Sequence, residues 1–145
     1  SGDLNGDAYP DLVVSNYLDN TVSVLLGTIA GGFGGSTAYA VGGNPIGVAI
    51  GDLNGDGRTD VVVANQAGST VSVLLGDGLG GLGPAAPYAV GSNPFGVAVG
   101  DLNGDGRLDV AAANASSSTV SVLRGNGDGS RQVNIRGAGR FPRVP

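Results

Sequence analysis

A chain of 145 residues with a formal net charge of −5 has room for one domain, and its acidity argues against nucleic acid or an anionic membrane as a partner. It holds 29 Gly and 12 Asp but no Glu, Lys, His, Cys, Met or Trp. That composition excludes disulfides, leaves no His, Cys, Lys or Glu for acid–base or nucleophilic work, and tilts the chain from helix towards strands and turns.

In chain order, the first feature is an acidic loop, Asp3-Leu4-Asn5-Gly6-Asp7-Ala8-Tyr9-Pro10-Asp11. An apolar segment follows to Asn16, then Thr21-Val-Ser-Val-Leu-Leu-Gly27, then Tyr39-Ala-Val-Gly-Gly-Asn44-Pro45. The same succession returns from Asp52 and again from Asp101, a period of 49 residues. A fixed period of that size marks a repeat architecture.

The second period reads as four short strands. Ile46–Ile50 leads into the acidic loop and Val61–Ala64 leads out of it. Val71–Leu75 alternates apolar and small polar residues, as a half-buried strand would, and Tyr88–Val90 is the fourth and weakest. Gly-, Asn- and Pro-rich breakers separate them, and no window supports an amphipathic helix. Four strands per period of roughly 40–50 residues is the pattern of a β-propeller blade. The expected organisation is therefore all-β: a partial blade over 1–45, a second over 46–94, and a third over 95–135. A divergent basic tail over 130–145 carries four of the seven arginines, and Gln132–Ile135 within it is a candidate fourth strand. There is no apolar run of about 18 residues and no basic leader with an apolar stretch behind it, so neither a membrane span nor a signal peptide is expected.

Nine of the twelve aspartates sit in the three loops, at positions 1, 5 and 9 of each, with Asn at position 3. Hard oxygen donors at alternating positions suit Ca²⁺, and Gly at position 6 of the second and third loops permits a sharp turn. A surface turn alone explains Asn-Gly and Asp-Gly. It does not explain three aspartates, since each carboxylate pair about 5 Å apart repels by roughly 3 kcal/mol at an effective dielectric near 20. Magnesium fits less well, because it keeps several waters rather than an all-protein cage. In an EF-hand a bidentate Glu would stand at position 12; here that position is Val14, Val63 or Ala112, inside a strand pattern. Three bound Ca²⁺ would move the formal charge from −5 to +1.

On these motifs the sequence resembles the FG-GAP/VCBS repeat family, which includes the integrin α-subunit β-propeller. The resemblance covers about residues 1–129. The Phe-Gly element is partly kept, as Phe33-Gly34 and Leu82-Gly83. The resemblance implies Ca²⁺ in the loop between the first two strands of a blade, bracing the fold. The implied ligands are Asp3, Asn5, Asp7, the Tyr9 carbonyl and Asp11; Asp52, Asn54, Asp56, the Arg58 carbonyl and Asp60; and Asp101, Asn103, Asp105, the Arg107 carbonyl and Asp109. It further implies an extracellular or cell-surface setting.

Three blades are too few to close a ring of ordinary size, so a fragment of a longer chain or a homo-oligomer is expected, two chains giving six blades. The leading functional expectation is a non-catalytic, calcium-stabilised scaffold for adhesion or protein recognition. The competing one is a lectin, with Tyr39 and Tyr88 stacking on sugar faces and Asn44 and Asn93 hydrogen-bonding beside them.

Overall fold

The structure is a computed structural model and describes residues 1–126 and 131–132. Those residues form three open antiparallel sheets and no helix. The first sheet contains β1 (Leu12–Asn16), β2 (Thr21–Gly27) and β3 (Phe33–Ala40) in the order β1-β2-β3. The second contains β4 (Pro45–Gly51), β5 (Asp60–Asn65), β6 (Thr70–Leu74) and β7 (Ala86–Ala89), in chain order. The third repeats this with β8 (Pro94–Gly100), β9 (Asp109–Asn114), β10 (Thr119–Gly125) and β11 (Arg131–Gln132).

Strand chemistry follows position in these blade-like sheets. Pro45 and Pro94 each open a strand, and Pro87 lies on the edge strand β7; Pro, which has no N–H to donate, is tolerated at both kinds of position. The fourth strand of the second sheet begins at Ala86, two residues before the expected Tyr88, because Ala86 pairs with Val73 and Pro87 with Ser72. In the third sheet Gln132 pairs with Arg124 and Arg131 with Gly125; the rest of the expected Gln132–Ile135 strand, and the rest of the basic tail, lie outside the described residues.

The core lies between sheets rather than inside any one of them. Val61, Val63 and Leu74 point from the second sheet to Leu4, Val22 and Val24 of the first repeat. Val62, Val71 and Val73 point the other way, to Val110, Ala112 and Leu123 of the third sheet. Because successive side chains of a strand face opposite sides, β5 supplies both layers and is buried along its whole length. Each buried valine contributes roughly 1.5–3 kcal/mol of transfer free energy.

This double burial corrects one expectation. The Val-Ser-Val alternation of β6 implies a strand with one wet face, yet Ser72 is buried, like the valines beside it. Its hydroxyl accepts a hydrogen bond from Asn65 Nδ2 at 2.9 Å, and Thr70 Oγ1 accepts another at 3.0 Å. The same trio recurs as Asn16, Thr21 and Ser23 and as Asn114, Thr119 and Ser121. Small hydroxyls therefore stand inside the stack because an asparagine at the end of the preceding strand pairs with them.

Candidate metal centre

The second acidic loop joins β4 to β5 and the third joins β8 to β9. The first precedes β1, and its ends are held together by paired backbone bonds between Gly2 and Asp11. All three loops fold by the same side-chain-to-backbone scheme. The position-1 carboxylate takes N–H groups on both oxygens: Gly6 at 2.7 Å and Ala8 at 2.9 Å on Asp3, Gly55 and Gly57 at 2.8 Å each on Asp52, Gly104 at 2.7 Å and Gly106 at 2.8 Å on Asp101. Position 3 accepts from position 5: Asn5, Asn54 and Asn103 take the N–H of Asp7, Asp56 and Asp105. Position 5 accepts in turn from position 7, with the N–H of Tyr9, Arg58 and Arg107 donating to Asp7, Asp56 and Asp105 at 2.8–2.9 Å.

These bonds set the local electrostatics. The Ala8 N–H, joined by Gly6, Asn5 and Asp7, holds the Asp3 carboxyl below the usual carboxylate range against partial desolvation. The Gly106 N–H does the same for Asp101, with Gly104, Asn103 and Asp105 behind it. Both groups are thus kept anionic by backbone dipoles at an exposed loop.

The backbone of the loop needs a left-handed residue at position 6, where Gly57 and Gly106 have φ of 80°. Ala8 occupies this position in the first loop and is forced to φ 68°. A residue with a Cβ pays about 1–2 kcal/mol there. Ala8→Gly is therefore expected to stabilise the protein by about 0.5–1 kcal/mol, after the glycine's extra unfolded-state entropy is deducted. Chemical denaturation of the two forms measures this, and a destabilised variant would refute the strain.

Position 9 has a second, structural role. Asp11, Asp60 and Asp109 are completely buried, and both oxygens of each are engaged by the backbone. Asp11 accepts from Leu4 N at 2.7 Å and Gly27 N at 2.8 Å; Asp60 from Leu53 N at 2.8 Å and Gly76 N at 2.9 Å; Asp109 from Leu102 N at 3.0 Å and Gly125 N at 2.8 Å. Each carboxylate thus ties the start of its loop to the far end of the second strand beyond it. Burial pushes the Asp60 carboxyl above its ordinary range; the N–H groups of Gly76 and Leu53 pull against this, and the charges of Asp56 and Asp52 add to it.

Among the described residues, no three acidic groups are gathered closely enough to form a metal-binding group by themselves. The donor chemistry nevertheless suits a hard cation. Each loop holds two exposed or half-exposed carboxylates, an amide oxygen and a position-7 carbonyl side by side, and a carboxylate oxygen with one N–H on it keeps a second lone pair. Between the first two loops lies an open cleft of about 540 Å³ lined by Asp3, Asp56, Arg58, Thr59 and Asp77. Thr59 Oγ1 donates to the Asp3 carbonyl at 2.9 Å across it. The Asp77 carboxyl is held low by the N–H groups of Leu79 and Gly81, with Arg58 adding its charge.

The residues considered for sugar binding are placed apart from the loops. Tyr39 and Tyr88 are half-buried on β3 and β7, packed against the two inter-sheet cores. Asn44 and Asn93 are turn residues with φ of 52° and 58°, and Asn44 is tied to Asn20 and Tyr17.

Antiparallel sheets stacked face to face, each with the same aspartate-rich loop and the second and third with a full strand–loop–strand unit, define a propeller-like repeat module. The profile of the FG-GAP-like repeat matches residues 3–63 and again 52–112, well over half of the sequence. The chain belongs to the FG-GAP-like repeat family. Comparison with curated proteins finds no match.

Proposed function

We propose that this chain is a non-catalytic, calcium-stabilised propeller-like module of extracellular or cell-surface proteins, serving adhesion or protein recognition. The reading is carried by one observation: three exposed loops, 49 residues apart, hold Asp, Asn and Asp in the same backbone-bonded turn. Asp3, Asn5, Asp7, the Tyr9 carbonyl and Asp11 would hold the first ion. Asp52, Asn54, Asp56, the Arg58 carbonyl and Asp60 would hold the second; Asp101, Asn103, Asp105, the Arg107 carbonyl and Asp109 the third. A cation there offsets the repulsion within each loop and stiffens the hairpin it spans.

Supporting the non-catalytic part, the sequence offers no His, Cys, Lys or Glu, and its nine loop aspartates are engaged by backbone amides. The lectin alternative draws no support from Tyr39 and Tyr88, whose rings pack against the inter-sheet cores.

Thermal melts in calcium and in chelator test the proposal. With dissociation constants of 10⁻⁴–10⁻³ M, typical of extracellular sites, about 10 mM Ca²⁺ would stabilise the fold by roughly 1.4–2.7 kcal/mol per site. The midpoint should rise with calcium and rise less with magnesium. A midpoint indifferent to both calcium and chelator would remove the metal's role.

A further inference from the structure

Each acidic loop carries a chemical hazard in its own sequence. Asn5-Gly6, Asn54-Gly55 and Asn103-Gly104 are Asn-Gly steps. In a flexible chain such a step rearranges without an enzyme, because glycine has no side chain to hinder the approach. The glycine nitrogen attacks the asparagine Cγ, the N–Cγ bond forms and the Cγ–Nδ2 bond breaks. The amide leaves as ammonia, taking the proton that the nitrogen gives up. Water then opens the cyclic imide to aspartate or to isoaspartate. We propose that these three steps are latent deamidation sites, and that the position-1 aspartate of each loop holds them closed in the folded chain. The inference goes beyond the calcium reading and stands with or without a bound ion.

Both reacting partners are pinned. The attacking nitrogen of Gly6 donates to Asp3 at 2.7 Å, that of Gly55 to Asp52 at 2.8 Å, and that of Gly104 to Asp101 at 2.7 Å. A charge-assisted bond of this kind holds the proton that must leave, and turning the nitrogen onto Cγ breaks it. The asparagine under attack is held at both ends of its amide by the residue beyond the glycine. Asn54 Oδ1 accepts from the Asp56 N–H at 3.1 Å, and its Nδ2 donates to Asp56 Oδ2 at 3.1 Å. Asp7 and Asp105 hold Asn5 and Asn103 in the same way.

The second oxygen of the position-1 carboxylate meets a second hazard. Asp56-Gly57 and Asp105-Gly106 are Asp-Gly steps, which close the same imide with loss of water. The nitrogens of Gly57 and Gly106 donate to Asp52 Oδ2 and Asp101 Oδ2 at 2.8 Å each. One carboxylate thus engages both attacking nitrogens of its loop. Burial does not protect these sites, since Asn103 is exposed and Asn5 and Asn54 are half-buried. Nor is the glycine dispensable: Gly6, Gly55 and Gly104 all have φ of 77°, in the left-handed region that disfavours a side chain. The turn therefore needs the residue that endangers it. Reaction would add a charge at position 3 or, as isoaspartate, insert a methylene into the backbone and displace every amide after it.

Native and urea-unfolded chain, both in chelator at mildly alkaline pH, test this. Mass spectrometry with fragmentation follows the replacement of –NH₂ by –OH at each asparagine. In the native chain Asn5, Asn54 and Asn103 should react about ten- to a hundredfold more slowly than in urea, the worth of one hydrogen bond to a charged acceptor. Asp52→Ala should accelerate Asn54 by that factor and raise isoaspartate at Asp56, while Asn5 and Asn103 in the same molecule keep their native rates. Asp101→Ala should release Asn103 alone. Circular dichroism checks that each variant is folded. If Asp52→Ala is not, Asp52→Asn decides, since its one acceptor oxygen in the same volume should free one of the two steps. The proposal is overturned if native and urea rates agree, or if neither step accelerates in a folded Asp52 variant. It is equally overturned if all three asparagines accelerate together in a folded variant, because general loosening rather than the local carboxylate would then set the rate.

Discussion

Asp60→Ala is expected to cost about 3 kcal/mol of folding stability, measured in chelator so that no bound metal contributes. Hydrogen bonds to a charged acceptor contribute roughly 1.5–3 kcal/mol each, and this carboxylate accepts two, from Leu53 and Gly76. Removing it also strands both N–H groups in a buried place, adding a desolvation cost of about 1–3 kcal/mol for each donor left without water. Against these stands the relief of a buried anion whose own ionisation burial opposes, which brings the net figure below the sum. Asp60→Asn should do almost as badly: its amide carries one acceptor oxygen, and its NH₂ would meet an N–H donor head on. Asp56→Asn, on the exposed part of the same loop, changes the same charge and should cost little in chelator. Urea unfolding of the three variants separates a staple from a ligand. A loss at Asp60 no greater than that at Asp56 would sink the structural role given to it.

The sequence made the architecture legible because the repeat makes each element testable three times. The 49-residue period, the four strands of the second repeat and the loop joining its first two strands all follow from motif spacing, and FG-GAP-like repeat membership agrees with them. What spacing could not convey is which faces are dry. Val-Ser-Val in β6 has the same pattern in a strand with one wet face as in a strand sandwiched between two sheets. Only the asparagine seven residues earlier distinguishes them, by pairing with the buried Ser72. Position 9 of the loops was only half legible for a related reason. The interval alone shows an aspartate among ligand-like residues; that it also clamps the backbone depends on the strand beyond it returning Gly27, Gly76 or Gly125 within hydrogen-bonding reach, sixteen residues away in each case. The position-1 to position-5 network is local, confined within a nine-residue turn, so the turn was legible in the chain although its individual hydrogen bonds were not.

Gly76→Ala is expected to be as damaging as the loss of Asp60, by a purely steric route. The end of β6 passes so close to the start of β5 that a Cβ at Gly76 would sit 2.1 Å from the Thr59 carbonyl oxygen and 3.1 Å from its carbon. Neither atom belongs to a side chain that could swing aside, and moving the Thr59 carbonyl drags the neighbouring Asp60 off the Leu53 and Gly76 N–H groups. Overpacking of a tight site costs roughly 1–3 kcal/mol, and a clash between two backbones that share a buried carboxylate belongs at the top of that range or beyond it. Gly27, whose Cβ would meet the Pro10 carbonyl oxygen at 2.3 Å, should respond alike. Glycine's backbone entropy does not explain such a loss, because replacing glycine by alanine at an unstrained position stabilises by about 0.4–1 kcal/mol. Gly35→Ala provides that comparison, since a Cβ there meets nothing within 4 Å. Denaturant midpoints should fall steeply for Gly76→Ala and hold or rise for Gly35→Ala; if both hold, the two strands are not locked together at this crossing, and the carboxylate clamp that depends on their closeness is not the feature that fixes the blade.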